Sequence, residues 1–302
     1  MGGIFVAMSE LERRVFLGAA GLAGAAYVAS RAAAGPLSPP PGTVTSTGRT
    51  LTEIYNRIPP AGTTAVGLTA VPGGTSGVSI SAPGSYILTG NLSSNDTSVI
   101  TISSPDVTLD LNGYTVSSTN VGLSAAVIRL EGFVDRTAIR NGKLVGSTNA
   151  IVGNSAVAEV MLEDLWLSGQ RSTGINLNTG SQGRHLLRRC HVVRLGAAAL
   201  PTETLTNLTG FVISGPGVRV EDCSVSAFAY AGLGTPTRTG IRINNLSGFG
   251  GVLVSRCSVS SETAATGNGL LLSGTAVYRD CTSMNFSTAF SGGTNGGGNT
   301  SV

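Results

Sequence analysis

Between Ser98 and Phe290 the chain alternates apolar and polar residues in short runs, and these runs recur in sets of three. Aligned copies of one sentence read VTLDLNGYTV (107–116), TAIRNGKLVG (137–146), VMLEDLWLSG (160–169), HLLRRCHVVR (185–194), VRVEDCSVSA (218–227), VLVSRCSVSS (252–261) and AVYRDCTSMN (276–285). Each copy is two strands around a polar pair. A third strand comes before each copy and usually opens on Gly, as in GINLN (174–178), GFVIS (210–214), GIRIN (240–244) and GLLLS (269–273). Period-2 alternation with no helical spacing predicts strands, and a unit repeated every 20–50 residues predicts a solenoid whose units bury their apolar faces only by stacking. The expected fold is all-β: a parallel β-helix of about seven three-strand coils, with the variation in unit length taken up in the turns.

VTLDLNGYTV, RNGKLVG and the recurring V-x-[DR]-C-S-V-S make the stretch from Tyr86 to Phe290 resemble the right-handed parallel β-helix superfamily, the pectate-lyase-like fold. Within it the chain is most similar to secreted bacterial β-helix repeat proteins. That resemblance implies a right-handed coil. It does not fix an activity, since the fold carries lyases, hydrolases, epimerases and proteins without catalysis.

Outside the repeats the pattern changes. Residues 1–34 hold Arg13-Arg14, then Val15-Phe16-Leu17, a Gly/Ala-rich weakly apolar run and Ala32-Ala33-Ala34, which resembles a twin-arginine export signal. The apolar run is shorter than the ~20 residues a span needs, so export is expected, to periplasm, cell surface or medium, with no membrane span in the mature form. Residues 35–83 read as a Pro/Ser/Gly-rich linker and N-terminal cap, in which Leu51–Ile58 is a short amphipathic helical turn. The β-helix is expected over 84–290 and a flexible Gly/Asn-rich tail over 291–302. An uncapped last coil would leave strand edges open, with self-association through that end as the consequence.

Removing residues 1–34 leaves 16 basic and 14 acidic side chains. Near-neutrality with alternating signs excludes a nucleic-acid binder, which needs a clustered basic face. Cys190, Cys223, Cys257 and Cys281 share one column of the repeat, with Leu165, Gly142 and Gly113 as earlier equivalents. Alternation points this column inward, as buried thiols without the paired spacing of a zinc site. Two charged columns precede it, Arg140, Glu163, Arg188, Glu221, Ser255, Arg279 and Asn141, Asp164, Arg189, Asp222, Arg256, Asp280. Both are expected in solvent, their alternating signs setting register.

One position after the Cys, the outward column reads Lys143, Trp166, His191, Ser224, Ser258, Thr282. The chain's only Lys, its only Trp and one of its two His thus fall on three consecutive coils. Together they offer a sugar-stacking ring, a cation for carboxylates and a titratable imidazole. Arg140 is expected to flank the strip, with Gln170 and Arg171 in the next turn, as substrate contacts beside Trp166. If the resemblance extends to chemistry, Lys143, His191 and Arg188 would act as in a polysaccharide lyase, removing the proton α to a uronate carboxylate. No metal site or cofactor is expected. The lyase reading leaves room for Ca2+, though no residue pattern asks for it. His185 falls on an inward column. The long turns Gly196–Thr209 and Ala229–Thr239 leave one edge of adjacent coils. The expected partner is a polysaccharide that the protein binds or cleaves. The alternative is a structural or adhesin-like scaffold without catalysis.

Overall fold

The computed structural model describes residues 68–153, 156–177, 184–230, 232–244 and 251–302. The export segment 1–34 and the helical turn Leu51–Ile58 lie outside them. Every strand in these residues pairs in parallel with the equivalent strand of the coil before or after it, and none of them contains a helix. Three ladders result, running the length of a parallel β-helix.

The first ladder stacks Val78–Ile80, Ser98–Ile102, Ala126–Leu130, Asn149–Gly153, Thr173–Leu177, Asn207–Ser214 and Thr237–Asn244, then the ends of Ser258–Leu272 and Thr282–Ser291. The second and third ladders are the two halves of each sentence read above. In Thr137–Gly146, Val160–Ser168 and Leu186–Leu195 one chain segment supplies both halves. Inward positions stack in register: Ile128, Ile151, Ile175, Phe211 and Ile241 on the first ladder, Leu109, Ile139, Leu162 and Leu187 on the second, Leu144, Leu167, Val192 and Val225 on the third. All are fully buried. They form one apolar column along the axis, fed by every coil.

The pairing extends beyond the seven copies at both ends. Leu68–Val71 and Val78–Ile80, inside the stretch expected to be linker and cap, already pair with Gly84–Leu88 and Ser98–Ile102. Residues 291–302 are not a loose tail in this structure: Thr294–Asn295 pairs with Val277–Tyr278, and Thr300–Ser301 with Thr282–Ser283. At that end the core closes on stacked rings, Tyr278 and Phe290, 5.1 Å apart and 9° from parallel.

The polar pair is the corner between second and third ladders. Its second residue adopts a left-handed conformation on coil after coil: Asn141 (φ 60°), Asp164 (53°), Arg189 (51°), Asp222 (54°), Arg256 (52°) and Asp280 (53°). A single αL residue reverses the pleat phase, so the residues on either side, such as Leu162 and Leu165, both point inward. Asn and Asp tolerate this region; Arg does so at a cost of about 1–2 kcal/mol. Arg189 sets against this a two-pronged bond to Asp164 (2.6 and 2.8 Å), and Arg256 one to Asp222 (2.6 and 2.9 Å). The first charged column departs from expectation, because Glu163 and Ser255 are buried rather than in solvent. Glu163 meets Arg188 of the next coil there.

Glycines recur inside the first-ladder strands, at Gly174, Gly210 and Gly240, because the coil is narrow at that point. A Cβ on Gly210 would lie 2.5 Å from the carbonyl oxygen of Gly240 and 2.5 Å from Val225 of the third ladder. The earliest part of the cysteine column also differs from the sequence alignment. Leu111, not Gly113, packs onto Gly142, because the corner of that copy is two residues longer, Asp110↔Arg140 being followed by Thr115↔Lys143.

Candidate functional site

The third ladder carries the strip. Its register runs Thr115↔Lys143↔Trp166↔His191↔Ser224↔Ser258↔Thr282↔Thr300, so residues distant in sequence stand one strand spacing apart, about 4.8 Å. The αL corner two residues upstream, and the buried side chains on each side of Trp166, His191, Ser224, Ser258 and Thr282, turn this column outward. Trp166 is 46% exposed among the described residues, a large value for an indole. Lys143 is exposed, with no carboxylate in salt-bridge range among the described residues. His191 is half-buried, its ring 6.0 Å from that of Trp166 and tilted by 51°. Its Nδ1 shares a 2.8 Å hydrogen bond with Ser224 Oγ of the following coil. Trp166, His191 and Ser224 thus form one connected surface, joined by a tilted ring contact on one side and a hydrogen bond on the other.

The other expected contacts are placed differently. Arg140 is exposed but donates to Asp110 at 3.0 Å. Arg188 is committed to Glu163, as the core-side member of the corner pair. Gln170 is fully buried and donates to the carbonyls of Leu144 and Ser168, both at 3.1 Å, so it ties two coils together and does not reach a ligand. Arg171 is also withdrawn, with a side chain 11% exposed. It forms a forked ion pair with Glu203 and bonds the Val121 carbonyl. The failure has one cause: after Ser168 the chain turns a corner, and outward alternation cannot be extended across it. Of the seven expected site residues, the structure therefore brings together Lys143, Trp166 and His191 as available groups.

A second outward column, missed in the sequence reading, lies two residues further along the same strands: Ser117, Val145, Ser168, Val193 and Ser226, with Val145 partly exposed. The period-2 rule that finds Lys143 finds Val145 as well. The long turns after His191 and Ser224 are stiffened by Tyr230, whose hydroxyl accepts from the Leu205 N–H (2.8 Å) and lies 2.6 Å from the Glu203 carbonyl.

His185 is buried, and its Nδ1 accepts the N–H of Val160 at 3.3 Å. Burial lowers its pKa from 6.5 to about 4, so it is a neutral core imidazole. The cysteines are buried and unpaired with one another as disulfides. Burial pushes the Cys223 thiol up, and hydrogen bonding to the thiol of the neighbouring coil does the same for Cys257 and Cys281. Thiols held protonated are poor ligands and nucleophiles. Among the described residues no group of three His, Cys, Asp or Glu is arranged to hold a metal.

Two clefts lie elsewhere. One, of about 530 Å³, is lined by Phe133, Asp135, Ala158, Glu159 and Arg184, where first-ladder strands turn into the second. The other is equally large and opens on the first ladder around Asp96, Arg129 and Glu131. Neither contains a residue of the strip, which is an open face and not a cavity. Comparison with protein-family models, with curated proteins and with solved structures finds no match to this chain, so its site is read from its own geometry.

Proposed function

We propose that this is an exported β-helix protein, of the pectate-lyase-like kind that its repeats resemble, which binds an extracellular or cell-wall polysaccharide on the open face of its third ladder. The observation that carries the reading is Trp166, nearly half exposed between Lys143 and His191 on adjacent coils of a rigid sheet. An indole fixed by its own strand stacks on a pyranose ring without losing side-chain freedom at binding. The neighbouring ammonium and imidazole supply polar contacts at the ring edge. Binding without catalysis fits the electrostatics better than cleavage does. A lyase must neutralise the uronate carboxylate, and Arg140, expected as a substrate contact, and Arg188, expected as a catalytic residue, are already paired with Asp110 and Glu163. Lys143 alone keeps a catalytic reading alive, as an uncommitted amine beside the stacking ring.

Because the chain has one Trp, its fluorescence reports this face and no other. Titrating the purified protein with pectate, alginate, glycosaminoglycan and neutral glucan oligomers is expected to shift or quench Trp emission with at least one of them. Trp166→Ala, followed by calorimetry, should weaken that binding about tenfold, the effect of ~1.4 kcal/mol. Unsaturated uronate products, read by ultraviolet absorbance and lost in Lys143→Ala, would instead establish a lyase. Silence on all glycans in both assays would leave the scaffold reading in place.

A further inference from the structure

We propose that a second copy of this chain docks on the outward face of the second ladder, the two solenoids running in opposite directions about a two-fold axis between the Met161 and Leu186 coils. The proposal does not depend on the glycan reading, which concerns the third ladder.

Alternation decides what this ladder shows to its surroundings. Leu109, Ile139, Leu162 and Leu187 point into the core, so the residue before each points out: Thr108, Ala138, Met161 and Leu186, continued in register by Arg219, Leu253 and Val277. Ala138, Met161, Leu186, Leu253 and Val277 are apolar and only half-buried. The outward column of the third ladder, by contrast, carries Lys143, His191, Ser224, Ser258 and Thr282 in register. A contiguous apolar stripe with charged residues along both sides is the make-up of a protein–protein contact. The cleft lined by Phe133, Glu159 and Arg184 borders one of those sides, and Phe133, 66% exposed, adds apolar area there.

Charge selects the partner and its direction. Two residues before the stripe, Asp106, Arg136, Glu159 and Arg184 alternate in sign on successive coils. Two residues after it, Asp110, Arg140, Glu163 and Arg188 do the same, so both edges carry one sign at each level. A two-fold dimer with parallel axes would set one edge against the other at equal level, like on like. Turning one copy end for end keeps each edge against itself and shifts it by one coil. Glu159 then meets Arg184 of the partner subunit, Asp164 meets Arg189 of the partner subunit, and Met161 packs on Leu186 of the partner subunit, each contact made twice. Glu159 and Arg184 are available for this, since within one chain they stand 4.0 Å apart with side chains 44% and 73% exposed. Over six coils the face measures about 20 by 25 Å, or about 1,000 Å² for two copies, the lower limit of a specific interface, so dimer and monomer are expected in exchange.

The test is sedimentation velocity of the purified chain over a wide range of concentration, with circular dichroism to confirm that each variant keeps its β-sheet spectrum. The parent is expected to pass from monomer to dimer as concentration rises. Met161→Glu, at the centre of the face, should weaken the dimer about tenfold, and so should Glu159→Arg and Arg184→Glu taken singly. An equimolar mixture of the Glu159→Arg and Arg184→Glu chains should recover the parental affinity, because in the mixed dimer both cross-contacts are again opposite in sign. Contacts inside one chain cannot give that rescue, since each variant keeps its own like-charged pair. Loss in the single variants without rescue on mixing would overturn the antiparallel direction. A chain that stays monomeric throughout, or association that none of the three variants changes, would overturn the face itself, the second result pointing instead to the strand edges of the last coil.

Discussion

A thiol in the cysteine column does a job that a methyl group cannot. At the αL corner the backbone swings away from the ladder, and the N–H of Cys190 finds the Sγ of Cys223 in the next coil at 3.4 Å in place of a carbonyl. Each thiol is also near a carbonyl of its own strand, Glu221 for Cys223 (3.2 Å), Ser255 for Cys257 (3.3 Å) and Arg279 for Cys281 (3.2 Å). The column ends on Asn299, whose Oδ1 accepts the N–H of Cys281 at 2.9 Å. Cys223→Ala should therefore strand the Cys190 N–H in a dry interior and lower stability by about 1–3 kcal/mol, whereas Cys223→Ser, which keeps an acceptor, should lose less. Urea midpoints for the two variants separate this role from simple volume. His185 offers a second test. Its folded pKa of about 4 lies below the ordinary 6.5, so protonation favours the unfolded chain. Its contribution is complete above pH 6.5 and is lost as pH falls toward 4. Between pH 7.5 and 5 this residue should cost about 2 kcal/mol, and His185→Val, matching Val160 and Val218 in its column, should flatten that part of the stability profile.

At the scale of strands and corners, the glycine inside a first-ladder strand measures how closely the sheets approach. Gly210→Ala would push a methyl group against Val225 and the Gly240 carbonyl, so the expected outcome is overpacking that costs about 1–3 kcal/mol, read as a lower melting temperature with the β-sheet spectrum retained. The period-2 pattern made the three ladders, the inward thiols and the outward Lys143, Trp166 and His191 legible, because alternation is a local rule and holds within a strand. It stopped being legible at corners. Gln170 and Arg171 lie past one, and their fates were set by contacts 26 and 32 residues away, to Leu144 and Glu203. Glu163 was misplaced for the same reason, since the αL residue that follows it changes which side of the strand faces the core. The end strands, Leu68–Val71 and Thr300–Ser301, were illegible because short Gly/Ser/Thr-rich segments carry little alternation and pair only because a complete coil already offers its edge.

Over its described residues the solenoid is a three-sided shaft with an outward column that carries one aromatic landmark, and with charges matched in pairs along one corner. The matched corner has a further consequence for how the shaft is assembled. Neighbouring coils such as VRVEDCSVSA and VLVSRCSVSS bury almost the same residues, so hydrophobic burial hardly distinguishes a correct stack from one in which a coil has been skipped. The corner charges do distinguish them. Next neighbours set Asp164 on Arg189 and Asp222 on Arg256. Skipping one coil would set Asp164 against Asp222 and Arg189 against Arg256, like on like. The alternation thus favours the observed order of near-identical coils over one with a coil skipped, a selectivity that the finished molecule shows only as a row of surface ion pairs.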